Sequence, residues 1–396
     1  MSYRFTALLC LSICACSVTF SQTASAIIRC EMNGKSVNPN NGFETATLTG
    51  MLRCRDEDSG KLQREQELRQ GKYIGLERFF DRDGRLERER SVNERGNSQG
   101  IEKQFWPNGQ LKSEGTSDDG QTRGVTRRYF ESGKIERIGF YQDRQAVLEI
   151  SFNADGSYYE LRCPAASTIA EDRKPCGFAG KTETVLQSAA GKRRALQSWE
   201  QGRLLALITY RDDGSVVSEM SFDQGRRMHR TFTVDGASSS TGKNVLREER
   251  VYELSDQPLN STVGRLQTSK LWGSNGQATE LVHYGEGGSV QVKRWYLNGA
   301  LKEKSNGTGS GNTARGQREK ITDDGKLASR ETLTAEGTAT GLQQYFYANG
   351  KLRREETYGE PDSRGRTRML ARKEWDEAGK LTADDEILED GSRKRK

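Results

Sequence analysis

A short phrase recurs along this 396-residue chain: an aromatic residue, two or three polar residues, a glycine, then a basic or polar residue and an aliphatic one. It reads Phe80–Gly84–Leu86, Phe105–Gly109–Leu111, Tyr129–Gly133–Ile135, Trp295–Gly299–Leu301, Phe346–Gly350–Leu352 and Trp375–Gly379–Leu381. The glycines at 60, 84, 109, 133 and 156 are separated by 24, 25, 24 and 23 residues. Self-similarity at such a period specifies an array of small stacked units rather than one compact enzyme domain.

Counting from the glycine fixes the unit. An aromatic stands four residues before it (Phe80, Phe105, Tyr129, Phe152, Tyr210, Phe232, Trp272, Tyr284, Trp295, Phe346, Trp375) and an aliphatic two residues after it, as in Leu86, Ile135 and Leu352. Asn or Asp often precedes the glycine, which is a hairpin signature. A two-residue turn would put the aromatic and the aliphatic on opposite faces. A three-residue loop, a type I turn closed by a glycine bulge, pairs position −4 with position +2 on one face. Pro107, at the first loop position, fits a type I turn, and the glycine supplies the left-handed conformation. Glutamates at +5 (Glu65, Glu89, Glu114, Glu219, Glu355) and bases at +1 (Lys61, Arg85, Lys134, Lys351, Lys380) are expected on the face opposite the aliphatic, as cross-strand charge pairs on the wet side. Gly96–Gly100, Gly120–Gly124 and Gly337–Gly341 mark the return loops.

Only 33% of the chain is hydrophobic and 30% is charged, a composition that leans toward disorder. A stack of hairpins needs only one apolar stripe per unit and tolerates it. The expected fold is all-β: an elongated, twisted antiparallel sheet of stacked β-hairpins, open at both ends.

Residues 1–26 read as a secretory signal, with Arg4, an apolar stretch from Phe5 to Phe20 and the cleavage motif Ala24-Ser25-Ala26. The alternatives are a buried N-terminal element and a lipoprotein, the latter from the lipobox-like Ile13-Cys14-Ala15-Cys16. Four cysteines follow the signal, an even number that fits disulfides in an exported chain. Three pairings are open; Cys30–Cys54 and Cys163–Cys176 are favoured because each pair is near in sequence and shares one irregular segment. No Cys-x-x-Cys is present, which argues against zinc or redox chemistry. Without Arg4 the chain carries 61 basic and 56 acidic residues, a net of +5, with both signs interspersed. That pattern excludes a nucleic-acid groove.

The organisation along the chain is a cap at 27–54, clear repeats at 55–161, a Cys/Pro-containing insertion at 162–180, diverged repeats at 181–235, a degenerate or inserted segment at 236–270, repeats at 271–391 with a flexible stretch Gly307–Gly316, and a basic tail at 392–396. Acidic doublets such as Asp118-Asp119 and Asp323-Asp324 are turn chemistry, not calcium loops. His229 and His283 have no nucleophile elbow beside them, and no P-loop or dinucleotide fingerprint occurs. No catalytic residue, metal or cofactor is expected.

Segments such as Tyr347-Ala348-Asn349-Gly350-Lys351-Leu352-Arg353-Arg354-Glu355-Glu356 and Trp106-Pro107-Asn108-Gly109-Gln110-Leu111-Lys112-Ser113-Glu114-Gly115 resemble the MORN-type repeat, in the variant of bacterial YwqK-like proteins. The resemblance covers most of 55–161 and 271–391, and thinly 181–235. It implies an elongated sheet of hairpins, scaffolding, protein binding or lipid contact, and in some members an antitoxin role; it brings no catalytic residues. The expected function is therefore a non-enzymatic, exported (periplasmic or secreted) protein-binding scaffold of the bacterial envelope. Its rivals are an immunity or antitoxin-like protein and an envelope-polymer, glycan or lipid binder. Aromatic neighbours such as Phe105-Trp106, Tyr129-Phe130 and Trp295-Tyr296 alternate across a strand, which makes Trp106, Phe130 and Tyr296 the candidate anchors on the face away from the core.

Overall fold

A computed structural model describes residues 27–234, 244–254 and 264–396. The expected signal at 1–26, the glycine turn after Phe232 and part of the segment 236–270 lie outside the described residues. The chain divides into two compact units, 1–122 and 123–396.

In the first unit, strands Gly50–Asp56, Leu62–Arg69, Lys72–Phe80, Leu86–Val92, Gly100–Phe105 and Leu111–Asp118 each pair antiparallel with the next in sequence. Ile28–Met32 lies beside Gly50–Asp56, with Lys35–Ser36 outside it. The second unit holds two sheets. One runs in sequence order through Gln121–Tyr129, Ile135–Gln142, Gln145–Phe152 and Tyr158–Arg162. The other has 17 strands, from Thr182–Gln187 to Arg393–Arg395, again in sequence order and not closed on itself. The expected all-β meander of antiparallel hairpins is what the structure has.

The turn is the one that the spacing selects. Phe80 stands opposite Leu86, Phe105 opposite Leu111, Tyr129 opposite Ile135, Trp295 opposite Leu301, Phe346 opposite Leu352 and Trp375 opposite Leu381, each with a register shift at the bulge. At Pro107 the Gly109 N–H donates to the Trp106 carbonyl at 2.8 Å and the Trp106 N–H to the Gln110 carbonyl at 2.8 Å; Gly109 has φ +84°. The aspartates serve the turns as expected: Asp81 Oδ1 accepts the Asp83 and Arg85 N–H groups at 2.8 and 2.9 Å. Two kinds of return loop recur among the described residues. Gly96 and Gly337 close the same three-residue turn as the main loops, whereas Gln70-Gly71, Gln201-Gly202 and Gln224-Gly225 are two-residue turns with both φ positive.

Two expectations are corrected. The bulge adds one residue after the aliphatic, so +5 returns to the face of +2, and its partner is −6 of the facing strand rather than +1. Glu89 thus stands opposite Arg78 and pairs with it at 2.7 Å, while Arg85 turns to Asp81 and Asp83. Second, Gly307–Gly316 is no flexible stretch. It is a hairpin in which Gly307 faces Gly316; a Cβ on Gly307 would lie 1.6 Å from the Arg315 carbonyl oxygen, so only glycine permits that backbone approach.

Both favoured cysteine pairs are joined. Cys30 and Cys54 are directly opposite across two strands. Cys163–Cys176 closes the segment between the two sheets of the second unit. There Ile138, Leu148, Ile150 and Leu161 of one sheet pack with Leu186, Ala195 and Trp199 of the other around that disulfide. Buried Asp172 pins the same segment by accepting from the Ser167 and Thr168 hydroxyls and from the Thr168 and Ile169 N–H groups.

Candidate functional site

Strand alternation and the bulge give many of the hairpins a polar position in the middle of a face. On the inner face of the first unit, Glu77 is 4% exposed, held by Arg64 at 2.9 Å and by Arg90 at 2.5 Å. In the 17-stranded sheet Glu331 takes the same role with Arg318 and Lys320, and Glu280 with Arg294, which also reaches Glu303 at 2.6 Å. Burial pushes the Glu331 carboxyl up, but the hydrogen bonds from Arg318 and Ser329 outweigh it and hold the group below the usual range.

On the other face, positions −6 and +5 face each other from strand to strand and make a row one residue wide. In the first unit it runs Arg53, Glu65, Arg78, Glu89, Lys103, Glu114, with strictly alternating sign. Arg78 bridges Glu65 and Glu89 at 3.3 and 2.7 Å. In the 17-stranded sheet the row begins as Val185, Leu196, Ile208 and continues Glu219, Arg230, Glu249, Lys270, Leu281, Lys293, Lys304, Glu319, Arg330, Gln344, Glu355, Lys373, Asp384. Lys304 bonds Glu319 at 2.6 Å, with Arg330 on its far side at 2.9 Å. The Lys304 hydrogen bond is the main cause that lowers the Glu319 pKa.

The expected anchors Trp106, Phe130 and Tyr296 are half-buried. They do not lie within strands: each is the first residue of its turn, with an N–H that donates across the loop. Trp106, in the first unit, has the Lys112 ammonium 4.8 Å from its ring centroid. Phe130 and Tyr296 sit on different sheets of the second unit. The Tyr296 hydroxyl donates to the Ile321 carbonyl at 3.0 Å, in the next bulged turn along the edge. Tyr347 does the same to Trp375 at 2.8 Å. Asparagines before the glycine extend the contact: Asn275 Nδ2 donates to the Leu297 carbonyl at 2.7 Å and Asn349 Nδ2 to Glu377 at 2.9 Å. Successive turns are thus laced together by side chains that the spacing had marked only as turn formers and sticky aromatics. The signal for it was in the sequence: asparagine can donate from that position and aspartate cannot.

Open clefts among the described residues include the following two. One, of about 400 Å³, is lined by Phe79, Phe80, Phe105, Arg88 and Lys112 in the first unit. The other, of about 290 Å³, is lined by Thr268, His283, Tyr284 and Gln291. His283 is exposed; His229 is half-buried, and burial, with Arg227 and Arg250 nearby, lowers its pKa. Among the described residues no group of three His, Cys, Asp or Glu side chains is placed to hold a metal ion.

The family described as a MORN repeat variant matches residues 98–119, 123–143 and 339–359, and each match spans one bulged hairpin of the structure. No curated protein matches the sequence. Among solved structures, the chain is similar to chains of the crystal structure of TcdB2-TccC3-Cdc42 (10% identity, TM-score 0.15, 93% of this chain and 24% of that one) and of TcdB2-TccC3 (10% identity, TM-score 0.14, 87% and 26%). The chain spans about a quarter of the length of those chains.

Proposed function

We propose that this chain is a non-enzymatic, exported repeat scaffold of the YwqK-like kind that holds a protein partner in the bacterial envelope. The observation that carries the reading is the laced turn edge. It sets a half-buried aromatic ring at the first residue of several turns, Trp106, Phe130, Tyr296 and Tyr347, with a lysine over the rings of Trp106 and Tyr296. Ordered, amphipathic rings of this kind lose little entropy on binding and are favoured at interfaces. The MORN repeat matches support a binding repeat over a catalytic fold, and the two disulfides support an oxidising compartment.

The test is affinity capture by residues 27–396 from envelope extract, alongside the triple variant Trp106→Ala, Phe130→Ala, Tyr296→Ala. One dominant protein is expected on the parent chain and is lost from the variant, with the far-ultraviolet dichroism of the two chains unchanged. Capture that is identical on both chains rules out the turn aromatics as the binding element. Retention of lipid alone overturns the protein-scaffold reading.

A further inference from the structure

The hairpin of Leu301–Ser310 and Thr313–Ile321 does not lie flat in its sheet. Glu303 stands directly opposite Arg294. Asn312 is nine residues further along the chain than Glu303, and a straight strand would carry it about 30 Å away. Yet the Asn312 carbonyl accepts from Arg294 Nη2 at 2.7 Å, and its Nδ2 donates to the two Glu280 carboxylate oxygens at 3.2 and 3.1 Å. The hairpin tip therefore doubles back over its own sheet. Ala314, nearer the bend, packs with Val282, Val290 and Val292. The order of contacts agrees with this path: Val290 faces Gly307 at the bend, and Val292 and Arg294 follow on the same face of that strand.

Both strands of the hairpin bend at one level. Gly307 faces Gly316, with φ of +152° and +150°. An added Cβ would lie 1.6 Å from the Arg315 carbonyl oxygen at the first and 2.4 Å from the Asn306 carbonyl oxygen at the second. The fold-back thus depends on glycine in both strands. Little holds the tip down. Thr308 to Thr313 are exposed, and Ala314 is the one buried side chain of the tip. Lifting it breaks the contacts of Asn312 but leaves Glu280 on Arg294 at 2.9 Å and Arg294 on Glu303 at 2.6 Å, so no buried charge loses its partner. What favours the closed form is the burial of Val282, Val290 and Val292, which are 0 to 2% exposed.

We propose that the tip, residues 308–314, is a flap hinged at Gly307 and Gly316. It opens while the rest of the sheet stays folded, and it gates an apolar strip of Val282, Val290 and Val292 that ends on the Arg294–Glu280 pair. Opening straightens the hairpin into the plane of its sheet, a conformation that any residue at 307 and 316 can take; only the closed form needs glycine there. A hairpin end that served only as packing gains nothing from glycine at two facing positions, where it weakens the strands, or from covering three valines with a single methyl group. The inference is independent of the protein-binding reading. The flap lies at the return-loop end of its strands, away from the aromatics replaced in the capture experiment.

The experiment is thiol labelling of Val292→Cys in residues 27–396, whose four native cysteines are joined in disulfides. Uptake of N-ethylmaleimide by the new thiol is followed by mass spectrometry at urea concentrations below the unfolding midpoint. Expected is labelling faster than global unfolding allows, at a rate almost flat in urea, because opening the flap exposes little surface. Adding Asn312→Ala removes the hydrogen bonds to Glu280 and should speed labelling at least five-fold. Adding Gly307→Ala, which the closed bend cannot hold, should speed it further with hydrogen exchange at 340–390 unchanged. Asn312→Ala changes only an exposed side chain, so the test stands even where Gly307→Ala does not fold. Labelling with the urea dependence of global unfolding, or a rate that Asn312→Ala leaves unchanged, overturns the proposal and makes the tip a fixed part of the core.

Discussion

Ile138, Leu148, Ile150 and Leu161 fill their face of the sheet at 135–162 with hydrocarbon; at 280–356 the side chains buried in the same kind of hairpin include Glu280, Glu331, Gln343 and Glu356. Turn and register are alike in the two regions, but they bury opposite faces: Ile138, Ile150 and Leu161 stand at −6 and +5, whereas Glu280, Glu331 and Glu356 alternate with those positions, so the difference lies in which face is covered and by what. Around 138–199 a second sheet and the disulfide segment lie over it, water is excluded, and aliphatic side chains gain most. From 280 onward, apart from the small cluster of Val282, Val290, Val292 and Ala314, the buried carboxylates are held by arginines whose own side chains are partly exposed, as in Arg318 at 28%. Such pairs keep part of their hydration, and their stems cover the sheet. The repeat is thus a frame that accepts either filling, which explains how a chain with 33% hydrophobic residues builds this many strands.

The comparison breaks most readily at the hydrocarbon end. Ile150→Ala should cost about 3 to 4 kcal/mol, because a fully buried aliphatic leaves a cavity between two sheets that cannot close on it. Hydrogen exchange should show the loss spread over 135–200 and absent from 340–390. A loss confined to the strand that carries Ile150 would mean the two sheets do not share a core. Next in size is the staple. Replacing Cys163 and Cys176 by serine should cost about 3 kcal/mol, from the 13-residue separation that the bond closes, read as a lower denaturant midpoint that matches that of the reduced parent chain.

The polar end should respond to charge instead of volume. Glu331→Gln keeps the shape but leaves Arg318 and Lys320 without a carboxylate, at a cost of about 1 to 2 kcal/mol. The same group sets a pH dependence. Its folded pKa lies below the ordinary value, as does that of Glu319. Their contribution is therefore complete above the ordinary glutamate value of about 4.3 and is lost as pH falls through the lower folded value. Exchange at 313–332 should rise below about pH 4 while 138–161 stays protected, and Glu331→Gln should flatten that dependence. Equal acid sensitivity in the two regions would remove the distinction drawn between them.

Much of the frame was legible from spacing, because a bulged turn that pairs −4 with +2 is a local, covalent consequence of where the glycine sits. Phe346 opposite Leu352 needed no tertiary information. The face of Glu89 was misread for the same local reason: the bulge residue was used to place the aromatic and not carried forward to +5. What spacing could not reach was which face is covered. Glu77 and Glu114 look alike in sequence, and the first is buried beneath Arg64 and Arg90 of its neighbouring strands. The glycines at 307 and 316 were read as freedom, although their role is close backbone contact, which depends on a partner strand. The anchors fell on turns because the residue after the paired aromatic is already in the loop, a fact the −4 count contains.

The smallest effect separates lacing from stickiness at the turn edge. Tyr347 donates to the Trp375 carbonyl at 2.8 Å, a neutral, half-exposed hydrogen bond that contributes about 0.5 to 1 kcal/mol. Tyr347→Phe keeps the ring and removes only that bond, so it should lower stability by this amount and speed exchange at the 376–379 turn, with the rest of the sheet unchanged. Tyr296→Phe should act in the same way on the turn after Ile321, and neither should alter capture of a partner, because the ring remains. If Tyr296→Phe abolished capture at full stability, its hydroxyl would have to leave Ile321 for the partner. The turn edge would then be a set of hydrogen-bond donors that exchange one carbonyl for another, and the rigidity that distinguishes it from an ordinary loop would exist only in the unbound chain.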